Sequence, residues 1–310
     1  MKEKIEKVLV TGSSGMIGTA LCEELIKKGY EVTGVDLRPN RWSERVNRVT
    51  VISDLTDRSF FDKLSSHYDL VIHLAANARV FKLVKDPTMA RDNFEMLFNV
   101  LEFCRLNMIK RIMFASSREV YGNLSGTLHA EDDVSIKHCE SPYTATKIAG
   151  EALVTAYHQC YKMGFIILRF SNVYGKYDDS DRVVPNFIRV ARLGKDLVVF
   201  GRDKLLDFTY ISDCISGIVK SIEAFDRVKD NTFNIASGKG TTIVEVAQLI
   251  QSKIGTGGKI VIEENRKGEV VKFVADITKA RQVLNYEPQI GIALGLDKTI
   301  EYYNSMEEAK

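Results

Sequence analysis

Through the first half of the chain, short apolar runs alternate with longer segments whose apolar residues recur at helical period. "KVLVTG" (7–12) predicts a strand, and "MIGTALCEELIKKG" (16–29) predicts a helix that Gly29 ends. "EVTGVD" (31–36), "RVTVISDL" (48–55), "DLVIHLAA" (69–76), "RIMFASS" (111–117) and "GFIILRFSNV" (164–173) read as further strands. Between them, "RDNFEMLFNVLEFCRLN" (91–107) and "YTATKIAGEALVTAYHQCYKM" (143–163) read as amphipathic helices. Continuous apolar strands between such helices predict an α/β fold with a doubly wound parallel sheet covered on both faces. Ligands then bind at the carboxyl ends of the strands.

After Asn172 the rhythm changes. Residues 173–187 are loop-like, 187–195 read as a helix, and 205–222 read as a strand leading into a helix and returning to the sheet. From about Asn231 onward the elements are shorter and more polar. The expected division is a larger unit, 1–172 with about 205–235, and a smaller C-terminal lobe from 173–204 and 236–310. A length of 310 residues exceeds what one compact core usually holds, which supports two units. The acidic end "NSMEEAK" is expected to fray.

Composition narrows the classes of function. Hydrophobic content of 45% and charged content of 27% are those of a globular protein in water. A net charge of +2, with both signs interspersed, argues against a nucleic-acid-binding face. No apolar run is long enough to span a bilayer, and the charged N-terminus has no signal-peptide core. The five cysteines are scattered and never spaced CxxC, so neither a zinc site nor a disulfide framework is expected, and the compartment reads as a reducing cytoplasm. The five histidines show no paired-ligand spacing, and no metal is expected.

Two constellations carry chemistry. Gly12, Gly15 and Gly18, with Met16 and Ile17 between the last two, lie directly after a strand and open a helix. Glycine lets the backbone turn tightly and approach a pyrophosphate, whose charge then sits at a helix N-terminus. Asp36 ends the next strand, where a carboxylate can bind both hydroxyls of an adenosine ribose. It would repel a 2′-phosphate, so NAD is expected over NADP, although Arg38 weakens that preference. The plain alternative is a structural glycine turn beside a surface aspartate. The second constellation is Tyr143 and Lys147 in "SPYTATKIAGEAL". The Ser-Pro pair starts a helix, and residues four apart share a face. The Lys147 ammonium then favours the phenolate of Tyr143, and a cationic nicotinamide would favour it further. Taken alone, such a pair is as readily a surface accident.

Placed after the "FASS" strand and downstream of the glycine loop, these residues resemble the extended short-chain dehydrogenase/reductases, in particular the NAD-dependent nucleotide-sugar epimerase/dehydratase family. The resemblance covers nearly the whole chain and rests on "TGSSGMIG", "SDLTD", "HLAA", "ASSREVYG", "YTATK", "RFSNVYG", "TYISD" and "RKGEVVKFVADITKAR". It implies a Rossmann sheet, NAD as cofactor, and a nucleotide-diphosphate sugar, UDP-linked, as substrate. Tyr143 is then the base, Lys147 holds the nicotinamide ribose, and Ser117 bonds the reacting sugar oxygen. Asp54 and Leu55 match a pair beside the adenine, and Leu74, Ala75 and Ala76 would line the cofactor. Asn93 matches an asparagine that supports the active-site strand. Asn172 and Arg266 match residues at the substrate diphosphate, where arginine offers bidentate bonds. Ser116 and Arg118 join the expected substrate contacts. A homodimer through helices at about 91–108 and 143–161 is also implied. Ile148, Ala152, Leu153 and Ala156 fit that face and equally fit packing on the sheet.

One position departs from the family pattern. Leu206 precedes Asp207 where the family commonly has arginine. Lys204, Arg202 or Arg182 are candidate substitutes, with Arg79 and Lys82 as further candidates for an acidic substrate group; an ordinary solvated charge is the first reading of these residues. The resemblance implies oxidation at sugar C4, after which the 4-keto sugar has several fates. Related dehydratases carry an Asp–Glu pair after the hydroxyl residue, but here Arg118 takes the acid's place, and arginine is a poor general acid. Decarboxylases keep the glutamate and usually the arginine that Leu206 replaces. A UDP-hexose or UDP-hexuronate 4-epimerase needs only Ser117, Tyr143, Lys147 and NAD, and is the expected activity. The alternatives are a nucleotide-sugar decarboxylase or 4,6-dehydratase, an NAD(P)H-dependent ketosugar reductase, and a non-catalytic dinucleotide sensor. Glu119 stays open: a catalytic group, a partner of Arg118 or a neighbouring lysine, or an idle residue.

Overall fold

The computed structural model describes residues 4–255 and 258–308. The first half runs β1 (Lys7–Thr11), α1 (Met16–Lys27), β2 (Glu31–Asp36), α2 (Glu44–Arg48), β3 (Thr50–Ile52), β4 (Leu70–His73), α3 (Val80–Lys85), α4 (Thr88–Leu106) and β5 (Arg111–Ser117). It continues through β6 (Leu128–His129), α5 (Pro142–Tyr161), β7 (Gly164–Phe170) and β8 (Asn172–Tyr174). The second half holds α6 (Val183–Arg192), β9 (Leu197–Phe200), β10 (Leu205–Tyr210), α7 (Ile211–Glu223), α8 (Phe225–Val228) and β11 (Asn231–Ile235). It closes with β12 (Gly240–Thr242), α9 (Ile243–Ile254), β13 (Ile260–Glu263), β14 (Lys272–Ala275), α10 (Thr278–Leu284) and α11 (Ile292–Glu308).

Seven strands form one parallel sheet in the order β11-β7-β5-β4-β1-β2-β3. Thr11 is level with Val35 on one side and His73 on the other, so the ends of β1, β2 and β4 open together where the strand order reverses. The alternation along β1 sorts the core onto two faces. Val8 and Val10 pack with Leu21, Leu25 and Ile218 of α1 and α7, while Leu9 packs with Leu97, Val100 and Val154 of α4 and α5. Coverage on both faces is why β5 and β7 are buried along their whole length and read as unbroken apolar runs.

The remaining strands form a second sheet, β12-β10-β14-β6, with β8 also paired to β10, and a two-stranded ladder of β9 with β13. This corrects one expectation. The strand at 205–210 does not rejoin the main sheet; it is the centre of the smaller one, and β11 makes the return. β10 thus runs between β8, β12 and β14, and α7 carries the chain back to pack on α1. The helix expected at 187–195 begins earlier, at Val183, and the segment at 58–63 is a 3-10 turn. α11 extends to Glu308, and just before the acidic end Tyr303 Oη donates to the Asp178 carbonyl. Residues 1–3 of the charged N-terminus and 309–310 of the acidic end lie outside the described residues.

Candidate active site

β1 delivers the chain to Gly12 at φ +75°, and α1 starts at Met16 with Gly15 as its N-cap. Gly12 N donates to the Val35 carbonyl at 2.7 Å, and Gly15 N to the Gly12 carbonyl at 3.1 Å. A Cβ on Gly18 would lie 2.0 Å from the Gly12 carbonyl oxygen, and one on Gly12 would lie 2.8 Å from Ala75 N. Only glycine lets the loop, the helix and the end of β4 close this tightly. The Asp36 carboxylate accepts from Ser14 N and Arg38 N, both at 3.0 Å. Buried Asn40 clamps the loop from outside, donating to Ser13 O at 3.1 Å and Thr19 Oγ1 at 2.8 Å. No sequence motif marks Asn40.

This cradle fits a dinucleotide on its own chemistry. Bare backbone at a helix N-terminus suits a pyrophosphate, and a carboxylate stands at the end of β2 for ribose hydroxyls. From the loop, a cavity of about 430 Å³ runs over the ends of β4 and β5 to the smaller sheet. Gly12, Gly15, Met16, Ile17, Gly18, Leu74 and Ala76 line it, as do Ser116, Ser117, Arg118, Glu119, Tyr143, Lys147, Asn172, Arg79 and Arg266.

Five of the expected cofactor residues lie off the cavity wall. Ala75 packs its backbone on Gly12, and Asp36 holds the loop. The Asp54 carboxylate accepts from the backbone and hydroxyl of Thr56, at 2.9 and 2.8 Å. The Leu55 side chain is in the core, and its carbonyl accepts from buried Asn99 at 2.9 Å. Asn93 does not support the active-site strand. It pairs with the backbone of Asn77, accepting at 2.6 Å and donating at 3.1 Å, and its amide reaches Thr146 of α5 at 3.4 Å. Asn93 therefore fixes the loop after β4.

Ser141 caps α5 by accepting from Thr144 N at 3.1 Å, with Pro142 at the first helical position. That start places Tyr143 and Lys147 against the end of β5. Ser117 lies close enough to the Tyr143 phenol to favour its ionised form, and its hydroxyl accepts from Glu119 N at 3.2 Å. Lys147 Nζ donates to the Ala115 carbonyl at 2.7 Å and lies 5.8 Å from the centre of the Tyr143 ring. Burial pulls Lys147 down to about 8, against the pull of Glu151. Burial pushes Tyr143 up to about 12, with Ser117 and Arg182 opposing. Lys147 is expected to favour the phenolate, and against that pull stands the burial of both groups. The ammonium is turned to Ala115, and desolvation dominates in the protein without ligands.

Ser116 lines the cavity, but its hydroxyl donates to Glu151 at 2.5 Å. Glu151 in turn holds Arg169 at 2.9 and 2.7 Å, so Ser116 belongs to a buried ion-pair network behind the site. Glu151 sits one turn after Lys147, a spacing readable in the sequence, whereas Ser116 and Arg169 are brought to it only by the fold.

Arg118 and Glu119 are both buried and paired, Nη2 to Oε1 at 2.8 Å. Arg118 Nε also donates to Asn172 Oδ1 at 3.3 Å. Of the alternatives for Glu119, pairing with Arg118 is the one observed. Burial pushes the Glu119 carboxyl up, while Arg118 and Lys204 pull it back. Lys204 is ion-paired with Glu269, and both line the cavity with Leu206. Glu269 was not singled out in the sequence; it lies 65 residues from its partner. Arg182 and Lys82 also line the wall, whereas Arg202 does not. Arg79 pairs with Asp181, and burial with Arg182 nearby pulls it down to about 10. The Arg266 guanidinium stacks 3.8 Å over Phe200 and 4.9 Å over Phe81.

The chain is similar to known proteins along nearly its whole length. The profile of the NAD dependent epimerase/dehydratase family matches residues 8–236. An uncharacterized UDP-glucose epimerase of Bacillus subtilis is 32% identical over 98% of this chain and 100% of its own. The crystal structure of a Thermotoga maritima UDP-glucose 4-epimerase with UDP-glucose superposes with a TM-score of 0.89 at 29% identity, covering 97% of this chain and 99% of that one. A Thermus thermophilus UDP-glucose 4-epimerase in complex with NAD has a TM-score of 0.86 at 26% identity, covering 96% and 99%.

Proposed function

This chain belongs to the NAD dependent epimerase/dehydratase family, and from that membership we propose that it is a 4-epimerase of a UDP-linked hexose or hexuronate. The observation that carries the reading is the Ser117–Tyr143–Lys147 set on the wall of the cavity that begins at the glycine loop. When bound, NAD supplies a hydride acceptor and donor for sugar C4 and a positive charge beside the phenol, so that the sugar passes through a transient 4-keto form. Gly12, Gly15 and Gly18 would hold its pyrophosphate and Asp36 its ribose. Tyr143 takes the proton of the sugar hydroxyl and returns it, and Ser117 orients the phenol and that oxygen. Lys147 has ribose hydroxyls within its chemistry and keeps α5 against β5 through Ala115. Asn172 and Arg266 serve the diphosphate.

Dehydration is disfavoured because a buried, ion-paired arginine stands at the position of the acid. Decarboxylation is disfavoured because Leu206 contributes an apolar side chain to the cavity wall. A homodimer and a cytoplasmic setting belong to the same proposal. Ala152 and Ala156 are exposed on α5, as are Phe94 (41%) and Phe98 (38%) on α4, which packs against it, and this supports a face for a second copy. Ile148 and Leu153 instead pack partly into the core. The five cysteines are all free, which supports a reducing compartment. The test of the catalytic assignment is Tyr143→Phe. Turnover should fall by about a thousandfold or more with NAD affinity unchanged; turnover near that of the wild type would refute it.

A further inference from the structure

Resting on the 4-epimerase reading, we infer that Arg182 supplies the positive charge that makes Tyr143 a base. Its role is indirect: it acts through the phenol by charge. Tyr143 and Arg182 line the same cavity, and Tyr143 is buried in its wall. Arg182 is half-buried, and among the described residues its guanidinium has no hydrogen-bond or ion-pair partner. Only its backbone is engaged, the N–H donating to Ser180 Oγ at 3.2 Å. Arg182 is also the N-cap of α6, whose first residues Val183, Val184 and Pro185 line the cavity and whose first turn holds no acidic residue. The positive end of that helix adds to the guanidinium charge.

The other charges around the cavity are paired, turned away or exposed. On α5 itself, Lys147 is turned to the Ala115 carbonyl at 2.7 Å, and Glu151 holds Arg169 at 2.7 Å. After β5, Arg118 and Glu119 meet at 2.8 Å, so their opposite effects on the phenol offset each other. Elsewhere on the wall Arg79 pairs with Asp181 and Lys204 with Glu269, while the Arg266 guanidinium is stacked on Phe200. Lys82 is exposed, where water and salt screen it. Buried Asp178 accepts from Ser180 N at 3.0 Å through one oxygen, leaves the other without a partner among the described residues, and acts on Arg79. Arg182 and Arg79 repel each other, which keeps Arg182 from sharing Asp181. Of the charged side chains, Arg182 does the most to favour the phenolate, ahead of Glu119 and Arg118. In a wall shielded from water, a charge without a counter-ion keeps its reach.

The test titrates the phenol in NAD-loaded protein. The phenolate absorbance that Tyr143→Phe removes is followed against pH with Arg182 in place and in the Arg182→Met and Arg182→Lys variants. Arg182→Met should raise the midpoint by about one pH unit. Arg182→Lys keeps the charge and should hold the midpoint within about 0.3 unit of the wild type. A midpoint that Arg182→Met moves by less than about 0.3 unit would overturn the inference, and so would a lysine variant that titrates like the methionine one. Kinetics give a second readout. At a pH below both midpoints, kcat/KM of Arg182→Met for UDP-glucose should be about tenfold lower, and it should converge on the wild type as pH rises past them. A loss of the same size at every pH is the mark of a structural role and contradicts the inference. NMR of UDP-glucose with the wild type separates this from the parent reading. A midpoint that moves as stated without any epimerisation refutes the epimerase reading only; epimerisation with an unmoved midpoint refutes the role of Arg182 only.

Discussion

Lys147 donates to the carbonyl of Ala115 at 2.7 Å, joining the helix that carries Tyr143 to the strand that ends in Ser117. The bond holds the set together while keeping a charge in a dry site. Burial pulls Lys147 from 10.5 down to about 8. Below that pH the lysine is charged in both the folded and unfolded chain, and the folded one bears the desolvation cost, about 3 kcal/mol. Between about 8 and 10.5 the folded chain sheds its proton first, so the cost is relieved as pH rises. Lys147→Met should therefore raise the Tm of the ligand-free protein at pH 7, less whatever the lost Ala115 bond contributed. That gain should shrink as the pH rises toward 10.5. Turnover should fall by about a hundredfold in the same variant. Thermal melts of both proteins at pH 7 and near pH 10 check the sign; a gain that grows with pH contradicts it.

Gly18 faces the carbonyl of Gly12 across the first turn of α1. A Cβ there would lie 2.0 Å from that oxygen, and because the obstacle is backbone the loop itself must move. Gly18→Ala should weaken NAD binding at least about tenfold, read by calorimetry. Affinity equal to the wild type would mean the loop does not hold the pyrophosphate.

The parts legible in the sequence were those that local pattern controls. Strand runs, helical periods, the glycine loop and the Ser141–Tyr143–Lys147 helix start each announce themselves within one element. What the sequence did not disclose depends on contacts across long separations. β10 looked like a strand of the main sheet because its apolar run carries no label of which sheet it joins; its pairing with β8, β12 and β14 decides that. β6 is only two residues long and is a strand solely through β14. Asn40, Glu269 and the Glu151–Arg169 pair were silent for the same reason. Sequence likewise does not show that the polar atoms of Asn93 and Ser116 bond Asn77, Thr146 and Glu151. The depth at which Tyr143 is buried is not legible either, because helix spacing shows a neighbouring charge but not what covers it.

Asp207 follows Leu206 in the central strand of the smaller sheet and is fully buried. Its carboxylate accepts from Ser237 N at 2.9 Å, Ser237 Oγ at 2.7 Å and Gly238 N at 2.8 Å. Those donors follow β11 of the main sheet, so this one carboxylate ties the two sheets together. Asp207→Asn turns an amide toward at least one of these donors and leaves it unpaired. Stability should drop by about 3 kcal/mol, measured by urea unfolding. A change below about 0.5 kcal/mol would show the tie to be dispensable.

On the proposed 4-epimerase activity, the chain interconverts epimers at C4 and leaves NAD unchanged over each cycle. The direct measurement is an NMR time course of UDP-glucose with purified protein and catalytic NAD. Appearance of UDP-galactose until both epimers reach a constant ratio, with no net consumption of NAD, is the predicted result. A stable 4-keto-6-deoxy sugar, or product that forms only as added NAD(P)H is consumed, would contradict it.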